Sequence, residues 1–386
     1  MESDPGLDTL VFDTVLATGD VDTRGKLARE LAGFTANPET VEAERRAIIP
    51  AILKLAADPV FEVRRMLAEG LAAAGKIDPE IVFTIVADQD EIALPFLSAA
   101  VGLDSPTMVA VARVGDLARQ MQVALRNDVS PDAVSHIAAK CVLPVCVALL
   151  DNPAAPLDEQ HFRLLYARFG RLPQIVERLL LCERLPLDIR IQEARRTSNR
   201  VHRLIAERGW VAANDAAEIV ADAEETAMVN ILTAAAPEKL QKVMPFLTAK
   251  NILTPSIVMR AACLGEMKIV ETALAHLCDM SAKRVARLIY GRGPVSLRAL
   301  YRKAGLPAVC FGLLRGAIDV TQDVRDETHP VGAADFGRRL VEAIMTRYEA
   351  MSTAERNKQL ELVSRFAEQQ VRLIALGLMG SLVRAA

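Results

Sequence analysis

Residues Leu55 to Ala72 read LAADPVFEVRRMLAEGLA, and the pattern of this stretch decides the fold. Val63, Met66, Leu67, Gly70 and Leu71 fall at i, i+3, i+4, i+7 and i+8, which puts one apolar stripe on a single helix face. Ahead of the stripe stands Asp58-Pro59. A short oxygen-bearing side chain accepts from the orphan N–H groups of a first helical turn. Proline at the first helical position loses nothing there, because its missing N–H would be unpaired anyway. The pair therefore predicts a helix start.

The same punctuation recurs at Asn37-Pro38, Asp78-Pro79, Ser105-Pro106, Ser130-Pro131, Asn152-Pro153 and Thr254-Pro255. Six of the seven pairs fall before residue 155, which predicts many short helices joined by tight turns. Composition agrees. Hydrophobic residues make up 51% of the 386, yet only 4% are aromatic, so the apolar mass is aliphatic and alanine-rich. Ala and Leu lead the helix propensities, whereas strands collect aromatic and β-branched residues, and the expected class is all-α. A β-sandwich, a collagen-like chain and a disordered chain are excluded.

The stripe also has echoes. RGKLARELA from Arg24 matches RRMLAEGLA from Arg64 at a 40-residue offset, and DQDEIALPFLSAA from Asp88 follows DPVFEVRRMLAEG from Asp58 at 30. Degenerate echoes of this length are the mark of a helical repeat array, in which a helix pair buries its apolar face only when its neighbours stack on it. Leu55 to Ala72 resembles a HEAT-type repeat. The resemblance implies an Asp that caps a helix at the inter-repeat turn and an Arg that ties neighbouring repeats together. Asp58 and Arg64 match those places, Arg24 matches the second alone, and Leu94 replaces the arginine one unit later. The ladder is thus expected to be degraded there.

A second resemblance covers more of the chain. Leu253 to Pro307, with MRAACLG at Met259 to Gly265 and RALYRKAGLP at Arg298 to Pro307, is similar to the C-terminal half of an uncharacterised bacterial domain-of-unknown-function family whose N-terminal half is HEAT-like. That resemblance implies a fold and no activity. ERLPLD, Glu183 to Asp188, interrupts two helical patterns, so a HEAT-like α-solenoid is expected over residues 1–185 and a second helical domain over 186–386. Within the second, helices are predicted at Ile189 to Glu207, Ala213 to Ala235, Ser256 to Cys263, Lys268 to Cys278, Ala282 to Ile289, Ser296 to Ala304 and Ala308 to Ile318. A polar turn, Thr321 to Ala334, then precedes a C-terminal pair whose last helix opens with the capping-box pattern Ser352-Thr353-Ala354-Glu355.

Net charge is -3, from 46 basic and 49 acidic residues, so nothing pulls the whole chain toward nucleic acid or anionic membrane. Met1 to Val21 holds acids and no Lys or Arg, without the basic start and apolar run of a signal peptide. The longest apolar candidate, Leu373 to Val383 between Arg372 and Arg384, is about half the roughly 20 residues a bilayer requires. Its glycines, Gly377 and Gly380, leave burial and self-association as alternatives. Cys141, Cys146, Cys182, Cys263, Cys278 and Cys310 stand singly in helical patterns, which suits small buried residues in a reducing, cytoplasmic setting.

Catalytic signatures are absent from the sequence: there is no G-x-S-x-G, H-E-x-x-H or P-loop pattern, and GRG at Gly291 to Gly293 is a turn between helices. His276 and Cys278 are the nearest ligand-type pair, at an i, i+2 spacing that sends them to different sides of a helix. No catalytic residue, metal site or cofactor is expected. The surface signal is cationic. Between Asp279 and Asp319 stand Lys283, Arg284, Arg287, Arg292, Arg298, Arg302, Lys303 and Arg315, with no acid among them. A second basic face, Arg196, Arg200 and Arg203, lies opposite Val201, Leu204 and Ile205, and Trp210 after it is expected to be a packing anchor.

These features predict a non-enzymatic interaction or scaffold protein of cytoplasmic signalling that displays a repeat surface to another protein. Arg284, Arg287, Arg298, Arg302 and Lys303 are its expected contacts to an acidic partner. Two other uses of the block stay open. Residues 282–304 have the outline of a helix-turn-helix, with Arg298, Arg302, Lys303 and Tyr301 on a recognition helix of a DNA-associated regulator. Alternatively the acidic helix around Asp215 to Glu225 pairs with it inside the chain. A homo-oligomer is a further possibility. The paucity of aromatic rings favours an extended protein-binding surface over a pocket or a base-stacking site.

Overall fold

The computed structural model describes residues 9–291, 294–324, 332–346, 353–367, 371–376 and 378–379. The described residues include 22 α-helices and one 3₁₀ turn, with further helical residues at 371–376 and 378–379 and no strand among them. The chain falls into two compact units, Met1–Pro186 and Leu187–Ala386.

Twelve short helices build the first unit: α1 (Thr9–Thr18), α2 (Val21–Ala36), α3 (Glu42–Ala56), α4 (Phe61–Leu71), α5 (Pro79–Val86), α6 (Asp90–Ala99), α7 (Ser105–Val114), α8 (Leu117–Leu125), α9 (Pro131–Lys140), α10 (Leu143–Asp151), α11 (Glu159–Phe169) and α12 (Pro173–Leu181). From α2 to α12, helices two apart in sequence pack on each other: α2 on α4, α3 on α5, α4 on α6, and so on to α10 on α12. Small residues permit the approach. A Cβ on Gly70 would stand 2.6 Å from the Ala32 Cβ, and one on Gly25 would stand 2.8 Å from the Met66 sulfur. The predicted stripe is buried at Val63, Leu67 and Leu71.

The proline pairs divide by what their polar side chain does. Asp78, Ser130 and Thr254 cap helices as expected, accepting from the N–H groups of Glu80, Ala133 and Ile257. At Ser105 the cap is the preceding Asp104, which accepts from Thr107, while the Ser105 hydroxyl donates to Asp132. Asn37 and Asn152 do not start helices. Each follows one, and its side-chain oxygen accepts from the N–H two residues on, from Glu39 and from Ala154. That turn is what a short amide offers when the chain must reverse before the next helix. Asp58 lies between the cases: it accepts from Val60 N–H at 2.8 Å, and α4 begins three residues after it.

A thread of arginines joins the layers. Arg24 binds the Asp58 carboxylate at 2.7 Å. Arg64 donates to the Asp58 carbonyl at 2.7 Å and to the Asp88 carboxylate at 2.6 Å. Arg119, from α8, donates to the Asp88 and Val86 carbonyls, each at 2.6 Å, and pairs with Asp90 and Asp116. Arg126 then reaches the carbonyls of Leu97 and Ala100, and Arg168 those of Ala138 and Cys141.

The second unit comprises α13 (Leu187–Arg208), α14 (Ala213–Thr233), α15 (Pro237–Ala249), α16 (Pro255–Cys263), α17 (Met267–Cys278), α18 (Ala282–Tyr290), α19 (Pro294–Lys303), α20 (Phe311–Val324), α21 (Ala333–Thr346) and α22 (Thr353–Phe366), with the 3₁₀ turn at Ala308–Cys310. α15 is not among the predicted helices; it opens on Ala236-Pro237, which lacks an oxygen-bearing cap. α20 runs to Val324, past the predicted turn start at Thr321. Arg292, Ser352, Gly377 and Gly380 lie outside the described residues.

α16 and α17 form the centre of this unit. Ile257, Val258, Met259, Ala261, Ala262 and Cys263 are all buried, and Arg260 is buried among them. A single charge at 3% exposure requires compensation. Arg260 receives it from Asp222, Glu225 and Thr226 of α14, and Arg372 holds the same Asp222 at 3.2 Å. Burial alone would raise the Asp222 carboxyl, but the hydrogen bonds from Arg372 and Arg260 outweigh it and hold the group below the ordinary aspartate value. Arg195 takes Glu224 at 3.0 Å. Of the acidic stretch expected to answer the basic block within the chain, Asp222, Glu224 and Glu225 thus pair elsewhere.

Candidate functional site

The cationic block lies on α18 and α19. In α18, Val285 and Ile289 recur at i and i+4 and are buried, whereas Lys283, Arg284 and Arg287 are exposed on the opposite side. In α19, Leu297, Leu300 and Tyr301 are buried and Arg298, Arg302 and Lys303 exposed. None of these six cations forms an ion pair with a described residue. Glu271 of α17 accepts the Tyr290 hydroxyl at 2.6 Å.

The cations differ in what else explains them. Arg302 and Lys303 sit in the last turn of α19, where the negative end of the helix dipole stabilises positive charge. Arg298 lays its guanidinium 5.2 Å from the Phe311 ring centre. Lys283 and Arg284 have no such reason. They occupy the first turn of α18, the positive end, where each cation costs about 0.3–1 kcal/mol rather than contributing it. Arg287 stands one turn from Lys283 and adds like-charge repulsion. The local physics opposes this cluster, and no acid among the described residues offsets it.

Tyr301, expected on a recognition surface, is not on one. It is 2% exposed, its ring meets Phe311 edge-on at 5.2 Å, its hydroxyl donates to the Pro307 carbonyl, and burial pushes the phenol up from its ordinary value. Trp210 also differs from expectation: it is 66% exposed rather than packed away among the described residues. On α13, Arg196 pairs with Glu193 at 3.3 Å, and the apolar Val201 and Leu204 opposite it are exposed rather than covered.

Asp58, Arg64 and Arg24, expected to stabilise a repeat, are joined by the contacts described above. A cavity of about 580 Å³ does lie in the first unit, lined by Arg45, Arg46, Lys76, Glu42, Asp78 and Asp104 around Ile49 and Ile52. Most of its charges are engaged. Glu42 holds Lys76 at 3.2 Å and Arg46 at 3.5 Å, and Asp78 and Asp104 cap α5 and α7. The Nε of Arg45 is buried without a partner, while its terminal nitrogen donates to the Asn37 carbonyl at 2.7 Å.

Ser135, His161 and Asp158 have the connectivity of a nucleophile, base and orienting acid. The Ser135 oxygen is 2.9 Å from His161 Nε2, and the Asp158 carboxylate is 2.7 Å from Nδ1. The Ser135 hydroxyl donates to the Pro131 carbonyl at 2.9 Å, and the Asp158 N–H lies 3.1 Å from Nδ1. Asp158 and His161 close the first turn of α11 as a capping box, and the Ser135 contact ties it to α9. His276 meets Thr248 at 2.9 Å and Cys278 is buried; among the described residues no three His, Cys, Asp or Glu side chains gather as a metal would need. No described helix is long and apolar enough to cross a membrane.

A family model described as "Uncharacterised protein conserved in bacteria (DUF2336)" matches residues 92–354, about two thirds of the chain. The match begins inside α6 and ends just inside α22, so it spans both units and contains the whole cationic block. Leu55 to Ala72, the HEAT-type stretch, lies before it. No curated protein and no solved structure matches the chain.

Proposed function

We propose a function for a chain that belongs to the DUF2336 family of uncharacterised bacterial proteins: it is a non-enzymatic docking protein whose α18–α19 face binds an acidic surface of another protein. One observation carries this. Lys283, Arg284 and Arg287 are exposed, mutually repelling and set against their own helix dipole, with no acid to offset them among the described residues. Elsewhere the arginines that bridge helices are answered by carboxylates and carbonyls. A cost of this kind persists when an external anion offsets it.

The first unit fits a display role. Helices packed two apart and threaded by arginine contacts support a HEAT-like stack, an architecture that presents a continuous surface rather than one deep pocket. Its residues Asp58, Arg64 and Arg24 act as layer ties in this reading. The DNA-associated reading of residues 282–304 has less support, because Tyr301 is buried and Arg298 is engaged with Phe311.

Retention on immobilised poly-L-glutamate and on immobilised duplex DNA at matched salt separates the two. The docking role predicts stronger retention on polyglutamate, lost in Arg284→Glu plus Arg287→Glu with the circular dichroism unchanged. Stronger retention on the duplex, with the salt slope of several phosphate contacts, would replace it by the DNA role. Equal retention of wild type and variant would sink both.

A further inference from the structure

The hairpin of α13 and α14 ends in a surface that the fold leaves open. Between the two helices Ala216 and Val220 are buried, at 0% and 9% exposed, so the hairpin is closed on its inside. Its outside is apolar and wet: Val201 is 42% exposed, Leu204 45%, Ile219 57% and Trp210, at the turn, 66%. Val201 and Leu204 lie one turn apart on α13, in line with Thr197, and so form a stripe. In a chain with one tryptophan, that ring and three large aliphatic side chains stay substantially in water on one hairpin, which leaves burial forgone. An exposed apolar cluster with a polar surround is the mark of an interface.

Charge identifies the occupant. Near the tip α13 carries exposed Arg200 and Arg203, and α14 carries exposed Asp215 and Glu218. None of the four has an ion partner among the described residues, although the two helices pair across their base through Arg195 and Glu224 at 3.0 Å. The tip therefore presents one basic helix and one acidic helix side by side. An acidic partner would match the first and be repelled by the second; a basic partner would do the reverse. A second copy turned about a two-fold axis matches both, because α13 of each copy then faces α14 of the other.

We infer that the α13–α14 tip is a homodimer interface, in which two hairpins pack into a four-helix bundle with Val201, Leu204, Ile219 and Trp210 at its centre. The interface is distinct from the cationic face of α18–α19 and does not depend on what that face binds. It places two such faces on one particle, so a partner with two acidic sites would be held by both.

Sedimentation velocity of the full chain tests it. The wild type is expected at the mass of a dimer across micromolar concentrations. Arg200→Glu plus Arg203→Glu makes both tip helices acidic, and Asp215→Arg plus Glu218→Arg makes both basic; each variant alone is expected at half the wild-type mass. Mixed in equal amounts, the two are expected to recover the dimer mass, since each reversed helix then meets its opposite. That recovery separates a lost interface from a lost fold. Val201→Asp plus Leu204→Asp is expected to be monomeric with unchanged circular dichroism. A wild type that is monomeric at every concentration would overturn the inference, as would charge-reversed variants that keep the dimer mass. So would a mixture that stays monomeric while both variants keep the wild-type spectrum. Arg284→Glu plus Arg287→Glu should leave the dimer intact.

Discussion

Arg260 and Asp222 form one ion pair, yet removing either end should cost different amounts. The Arg260 side chain is 4% exposed, against 38% for Asp222 and 27% for Glu225. In Arg260→Met the thioether fills the stem's place under Phe366, Asp222 keeps Arg372, Glu225 keeps the Ser256 hydroxyl, and water reaches both carboxylates. The expected cost is about 1–2 kcal/mol, the range for losing charged hydrogen bonds whose acceptors are resolvated. Asp222→Ala leaves the guanidinium buried with Glu225 at 3.3 Å and Thr226 at 3.1 Å, and frees Arg372 as well. About 3 kcal/mol is expected, the low end for a buried charge deprived of a partner. The double variant should cost at least 1 kcal/mol less than the sum of the two, because it strands no buried cation. Hydrogen exchange of α14 and α16 amides in the full chain reads the local opening free energy, with urea unfolding by circular dichroism beside it. An Arg260→Met cost equal to or above that of Asp222→Ala would refute the assignment of the buried member, and strict additivity would refute the coupling.

Three more outcomes follow from the same geometry. Gly70→Ala should destabilise despite its gain in helix propensity, since the new Cβ meets Ala32 at 2.6 Å, whereas Gly33→Ala, with open space at that position, should stabilise by up to about 1 kcal/mol; paired melting temperatures decide it. Alkylation of the native chain followed by peptide mass spectrometry should mark Cys182, the half-buried thiol, before all others. Burial pushes Cys146 up to about 11 and Cys263 up to about 12, so early labelling of either would contradict the packing of α10 or α16. Asp88 is held below its ordinary value of 3.8: burial opposes this, and the Arg64 and Gln89 hydrogen bonds outweigh it. A depressed carboxylate contributes stability that is complete above the unfolded-state value and is lost as pH falls through the folded one, so stability should hold from neutral to about pH 5 and fall below about pH 4. Asp88→Asn should flatten that fall, and an unchanged acid slope would refute it.

Local chemistry made the helices legible and distance hid what joins them. The stripe from Val63 to Leu71 and the caps at Asp78, Ser130 and Thr254 act within a few residues, and each is visible in sequence. The Asx-Pro pattern is ambiguous, however, because the side chain that caps a helix also closes a turn, as Asn37 and Asn152 do. The contacts between layers span long separations. Arg119 reaches back 31 residues to the Asp88 carbonyl, and Arg260 finds Asp222 38 residues away. Nothing in a helical period announces such pairs. For the site, the cluster of cations was legible as composition, whereas the burial of Tyr301 and the exposure of Trp210 depend on which side of a helix its neighbours cover. The opposition between Lys283, Arg284 and their helix dipole follows from a helix start at Ala282 that was legible in sequence, whereas the lack of an answering acid among the described residues was not.

The central claim is that the α18–α19 face meets an acidic protein surface. Site-specific photo-cross-linking in native cells tests it most directly, with the probe placed at position 284 and, as a control, at exposed Glu238 on α15. A discrete protein adduct from position 284, absent from position 238 and weakened by Arg287→Glu, is the predicted result. Adducts to nucleic acid, or the same adducts from both positions, would contradict it.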